Sequence, residues 1–128
     1  MGQQQLLLIV VGIIIVGIAV IIGINIYHAN SIETNRNNVT NELVNLAADA
    51  QKYFRKPREY GGGSNSFIGW SVPRQLANTS SGSFEIDGEI LDDEINIIGT
   101  GTEVITDNDT VKVNIKVLPN NYNVTIIN

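Results

Sequence analysis

The pattern of apolar and polar positions divides the chain into three stretches. From Leu6 to Ile24 the sequence is LLLIVVGIIIVGIAVIIGI, with no charged residue and no strongly polar side chain. A run that is apolar on every side has no solvent face. At about 1.5 Å per residue it makes a helix of about 28 Å, close to the ~30 Å hydrocarbon thickness of a bilayer. A membrane-spanning helix is predicted. A cleavable secretory signal would place Lys or Arg before a shorter apolar run and a small-residue cleavage site after it. Here only Met1, Gly2 and Gln3 to Gln5 precede the run, and Asn25-Ile26-Tyr27-His28 follow it, so the expectation is that the segment is retained.

After Asn25 the apolar residues become periodic. Ala29, Ile32, Val39, Leu43, Leu46, Ala47, Ala50 and Phe54 recur at helical spacing, while Glu33, Arg36, Glu42, Asp49 and Lys52 fall largely elsewhere. No proline intervenes before Pro57. One continuous helix from about Gln4 to Lys56 is predicted, with Lys52, Arg55 and Lys56 suiting the negative end of its dipole. Gly61-Gly62-Gly63-Ser64-Asn65-Ser66 then reads as a flexible loop, with Phe67, Ile68 and Trp70 tucking back onto the helix.

From Ser83 the period changes to two. Phe84, Ile86 and Ile90 alternate with Glu85, Asp87 and Glu89. Ile95 and Ile97 lead into Gly99-Thr100-Gly101 and Val104. Val111, Val113, Ile115 and Val117 alternate with Lys112, Asn114 and Lys116, and Tyr122, Val124 and Ile126 close the chain. Turn residues stand at Asp92-Asp93, Asp107-Asn108-Asp109 and Pro119-Asn120-Asn121. This predicts an antiparallel sheet of about four strands whose apolar face needs a cover. The amphipathic half of the helix is the element of matching size. The expected fold is therefore α+β, a lollipop. A stem helix covers residues 3–28 and a head covers 29–128, comprising helix (29–56), connecting loop (57–82) and sheet (83–128).

Composition narrows the function classes. The chain of 128 residues has no cysteine, so disulfides and thiolate metal sites are excluded, and its net charge is −5. Lys52, Arg55, Lys56 and Arg58 form a basic cluster, whereas no Lys or Arg stands between Arg74 and Lys112, where acids concentrate. That balance argues against nucleic acid as a partner. His28 is the single histidine, without neighbours for a triad, and reads with Tyr27 as an anchor at a membrane interface. No convergent polar constellation points to an enzyme. Asp107 and Asp109 are weak calcium candidates in a predicted turn; the EF-hand pattern is absent, and solvated turn acids are the commoner use. Asn-x-Ser/Thr sequences occur at Asn38, Asn78, Asn108 and Asn123, a small excess over chance in so asparagine-rich a chain.

A short Met1-Gly2 leader, an uncharged Gln3-Gln4-Gln5, the apolar run, the long helix, a glycine-rich connection and a terminal antiparallel sheet together resemble a type IV pilin or pseudopilin. The resemblance extends over essentially the whole chain as an architecture. It implies a membrane precursor cut after Gly2 by a prepilin peptidase and methylated on Gln3. Assembly would then bury Leu6, Leu7, Leu8, Ile9, Val10, Val11, Ile13, Ile14, Ile15, Val16, Ile18, Val20, Ile21, Ile22 and Ile24 in a filament core. The implied partners are other copies of the chain, the inner-membrane assembly machinery and, before assembly, the lipid bilayer. The implied locations are the cytoplasmic membrane and then a cell-surface filament or periplasmic pseudopilus. Some pseudopilins carry a calcium site in the sheet region, the resemblance's own reason to look at Asp107 and Asp109. Lys52, Arg55, Lys56 and Arg58 would meet acidic sheet surfaces between subunits. Two positions depart from the family: Gln3 stands where a hydrophobic residue is usual, and Leu7 where a glutamate neutralises a neighbour's amino terminus. The alternative class is a single-pass anchored extracytoplasmic binding domain that does not polymerise.

Overall fold

The computed structural model describes residues 2–106 and 109–128. They divide into two compact units, one ending at Ser31 and the other spanning Ile32–Asn128. Helix α1 runs without interruption from Gly2 to Arg55, 54 residues. The second unit is α+β: residues 32–55 of α1 pack on a five-stranded antiparallel sheet in the order β1-β2-β3-β4-β5. The strands are β1 (Asn78–Thr79), β2 (Gly82–Ile86), β3 (Ile95–Thr106), β4 (Asp109–Val117) and β5 (Tyr122–Ile126). Every neighbour in the sheet is also a neighbour in sequence, a pure meander.

The helix packs because its apolar residues form one stripe. Val39, Leu43, Leu46, Ala47 and Ala50 are buried. They meet Phe84 of β2, Ile95 and Ile97 of β3, and Val111, Val113, Ile115 and Val117 of β4. Two glycines set how closely the helix approaches. A Cβ on Gly99 would lie 2.7 Å from Val39 Cγ1, and one on Gly101 would collide with Asn35 Oδ1. Four helical residues rise about 6 Å and two strand residues about 6.7 Å. Val39 over Gly99 and Asn35 over Gly101 therefore keep step, and the helix runs antiparallel to β3.

The glycine-rich connection is more ordered in its bonding than a flexible loop. After α1 come a 3-10 turn (Arg58–Tyr60) and Gly61 at φ 84°. The loop then returns its amides to the open carbonyls of the helix end. Gly63 N donates to Tyr53 O (2.8 Å), Asn65 N to Phe54 O (2.7 Å) and Ser64 N to Lys56 O (3.0 Å). Gly62 and Gly63 are required by proximity, since a Cβ would strike Lys56 O or Ser66 O respectively. Phe67 then inserts fully buried, its ring 4.7 Å from that of Phe54. Trp70 Nε1 donates to Asp49 Oδ2 at 3.1 Å.

Several expectations need correction. The sheet has five strands because the connection also holds a short helix α2 (Arg74–Ala77) and the two-residue β1, both too short to leave a period in the sequence. Ile68 is 57% exposed and does not tuck back with Phe67 and Trp70. β2 ends at Ile86, and Gly88 turns the chain at φ 76°, so Ile90 packs from a loop and not from a strand. The helix ends at Arg55, one residue before the expected Lys56. Of the expected turn Asp107-Asn108-Asp109, Asp107 and Asn108 lie outside the described residues.

Candidate functional site

The candidate site is the surface of α1 before the packed stripe begins. Helix formation there satisfies every backbone group inside the segment, the condition for entering hydrocarbon. The side chains find nothing in this chain to cover them. All the predicted core residues are exposed, from Val11 at 43% to Leu8 at 71%. A Cβ added at Gly12, Gly17 or Gly23 would meet no atom within 4 Å. Soluble monomers seldom leave contiguous apolar patches beyond a few hundred Å2. This helix is apolar all round and is long and apolar enough to cross a membrane. Gly2 and Gln3 are exposed at its start, and Leu7 lies one turn beyond Gln3 on the same side.

The basic residues sit where α1 ends. Lys52, Arg55, Lys56 and Arg58 are exposed. Arg55 Nη2 is committed within the unit, donating to Pro119 O and Asn120 Oδ1, both at 3.1 Å in the β4–β5 turn. The ion pairs among the described residues are Glu33–Arg36 (2.8 Å), Asp109–Lys112 (3.5 Å) and Glu94–Lys116 (3.3 Å), and none uses the cluster.

The helix makes polar contacts with the rest of the second unit on both of its flanks. Arg36, Gln51 and Arg55 reach toward β5 and its flanking turns. On the other side Glu42 accepts from Thr79 Oγ1 (2.8 Å) and Asp49 from Trp70, toward β1 and its preceding loop. Glu85, Asp87 and Glu89 are exposed; Glu85 lies on the face of β2 opposite the buried Phe84, and Asp87 accepts from Asn114 Nδ2 at 3.3 Å on that outer face.

Asp107 lies outside the described residues. Asp109 faces Lys112, and among the described residues no group of three or more His, Asp or Glu side chains is placed to hold a metal ion. His28 and Tyr27 are exposed on the helix surface, and Tyr27 O accepts from Ser31 Oγ at 3.0 Å.

Sequence reasoning missed Asn35. It reads as one of several poor helix formers, yet it is the buried polar residue of the helix stripe, 7% exposed. Its Oδ1 accepts from the backbone N–H of Thr102 (3.1 Å) and Glu103 (3.4 Å), and its Nδ2 donates to Ser81 O (2.9 Å) and Thr102 Oγ1 (3.4 Å). The pairing of β3 with β4 shifts register between Thr100 and Val104. Such a bulge frees amides from the ladder, and Asn35 caps them. The available signal was its place on the apolar stripe, one turn before Val39.

Compared with known proteins, the chain matches no family model, no curated sequence and no solved structure.

Proposed function

We propose that the chain is a structural subunit of a type IV pilus-like or pseudopilus filament. The observation that carries this reading is a single helix whose first part is apolar on all sides and exposed, and whose second part lays one stripe on an antiparallel meander. A lone span in lipid needs a helix of bilayer length, and a filament subunit needs the same surface to exchange lipid for neighbouring helices. Burial of roughly 25 cal/mol per Å2 of apolar surface rewards a fully packed environment of either kind over water.

In this proposal Gly2 is the cleavage residue, Gln3 becomes the methylated terminus, and Leu6 to Ile24 bundle in the filament core. The precursor waits in the cytoplasmic membrane and the product is a cell-surface filament or periplasmic pseudopilus. With Leu7 in place of the family's glutamate, the amides of Gln3 to Gln5 are the polar groups at hand to satisfy a buried amino terminus.

Intact-mass and N-terminal analysis of material sheared from cells tests the reading. A chain beginning at methylated Gln3 in sheared filaments is the expected result. A chain beginning at Met1 and confined to membranes overturns it in favour of an anchored binding domain. Leu7→Glu adds a second test, because it restores the carboxylate of the family and is expected to leave assembly intact or improve it.

A further inference from the structure

The last two turns of α1 and the glycine-rich connection enclose a small polar cleft. Asp49, Lys52, Tyr53 and Lys56 recur at helical spacing along one face of α1, and with Gly61 and Trp70 they line a space of about 180 Å3. Its walls are fixed by hydrogen bonds and close backbone. Tyr53 Oη donates to Ile68 O at 3.0 Å. A Cβ on Gly63 would lie 2.8 Å from Tyr53 Cε1, and one on Gly69 would lie 2.7 Å from the Tyr53 hydroxyl, so the ring has little room to move. Trp70 is 5% exposed and donates from Nε1 to Asp49 Oδ2 at 3.1 Å. All six residues belong to the second unit.

The charges around this space are not matched. Lys52 and Lys56, one turn apart, bring two ammoniums that repel each other, and Asp49 brings a single carboxylate. Among the described residues none of the three joins an ion pair. Compensation of the helix dipole accounts for cations in a last turn, but not for a walled space beside them. At ~30 Å3 per water molecule the cleft has room for about six, the bulk of one hexose and less than that of a nucleotide. Two ammoniums donate well to a carboxylate. Asp49 repels a bare anion, yet it keeps acceptor capacity beside its bond from Trp70, because an ionised carboxylate offers about four lone-pair sites. A ligand with one negative charge at one end and hydroxyls at the other meets both demands and neutralises the cleft.

We propose that this cleft binds a hexuronate, a single sugar ring bearing one carboxylate. The sugar carboxylate lies between the ammoniums of Lys52 and Lys56, and neighbouring ring hydroxyls donate to Asp49, while Tyr53 and Trp70 bound the space. The assignment concerns the second unit alone. It holds equally for a filament subunit and for an anchored domain, so it neither rests on the filament reading nor supports it.

Trp70 is the single tryptophan of the chain, so its fluorescence reports on the cleft directly. Glucuronate, glucose and inorganic phosphate are each titrated into the full-length protein in neutral detergent, with calorimetry alongside. The expected result is a saturable change with glucuronate at a Kd of about 1 mM, the scale for a ligand of this size. Glucose, which lacks the charge, and phosphate, which lacks the ring, are expected to bind at least about tenfold more weakly. Lys52→Gln and Lys56→Gln should each raise the Kd for glucuronate about tenfold without moving the melting temperature. Arg58→Gln, exposed and outside the lining, should leave it unchanged. Neither fluorescence change nor heat with glucuronate at about ten times that concentration overturns the proposal. Phosphate binding as tightly as glucuronate overturns it in favour of an unselective pair of cations. An equal loss in Arg58→Gln overturns it in favour of diffuse attraction to the basic end of the helix.

Discussion

Two parts of one helix obey the same geometry and face opposite demands. Residues 32–55 carry a stripe, and Val39, Leu43, Leu46, Ala47 and Ala50 bury it against the sheet of their own chain. Residues 6–24 carry no stripe, and every large side chain there is exposed. The contrast teaches where each part finds its environment. A one-sided apolar pattern is satisfied within the chain, and an all-round pattern must be satisfied by lipid or by other helices. Substitutions in the two parts should therefore read out in different assays.

The largest effect is expected at Leu43, fully buried between helix and sheet. Leu43→Ala should lower the unfolding free energy by about 2–5 kcal/mol, through lost transfer energy and the cavity it leaves. Thermal unfolding in detergent measures this. Membrane association of the same variant should be unchanged, and a loss of it would show that the two parts are not energetically separate.

The reverse substitution is Ile15→Lys, at the middle of the apolar run. A lysine at the centre of a span costs about 2.5–3.5 kcal/mol of insertion free energy. Membrane fractionation should show a large soluble or degraded fraction, while any folded protein recovered should keep its melting temperature. A destabilised head in this variant would break the comparison from the other side.

Asn35 tests how polar chemistry is built into the packed part. Asn35→Ala removes the acceptor for the amides of Thr102 and Glu103 and should cost about 1–3 kcal/mol. Hydrogen exchange should locate the change at those two amides. Combined with Gly101→Ala, the loss should be less than additive, because Asn35 Oδ1 is the atom that a Cβ at 101 would strike.

How far these features were legible in the sequence follows from what a period encodes. The helix stripe and the alternation of β4 were readable because each repeats several times, and both appear as read. Tyr122, Val124 and Ile126 were correctly placed on one face, but alternation states only that residues share a face, and their exposure depends on where the helix ends sideways. β1 and α2 are shorter than one cycle of a useful pattern. Gly99 and Gly101 stood in the strand pattern without being read as a close approach, which only the packed helix reveals, and Asn35 had no signal of its own apart from standing on the stripe. The apolar character of the stem was plain at once, while what surrounds it depends on molecules beyond this chain.

The smallest effect is expected on the outer face of the sheet, where Lys112, Asn114 and Lys116 alternate with the buried valines and isoleucine of β4. Lys116 Nζ stands 3.3 Å from Glu94 Oε1, and the two side chains are 44% and 28% exposed. An ion pair so open to water gains little, because solvent screens the charges and two long side chains must be held still. Lys116→Ala should therefore change stability by no more than about 0.5 kcal/mol in a denaturant titration. The same strand would then show a loss of several kcal/mol for Ile115→Ala, about 2–5 by the cavity argument, one residue away and on the other face. A loss of more than about 1 kcal/mol at Lys116 would mean that the outer face is covered in the protein as assayed, which a second copy packing on the sheet would produce. Dilution separates the two cases, since solvent screening is independent of protein concentration and association is not.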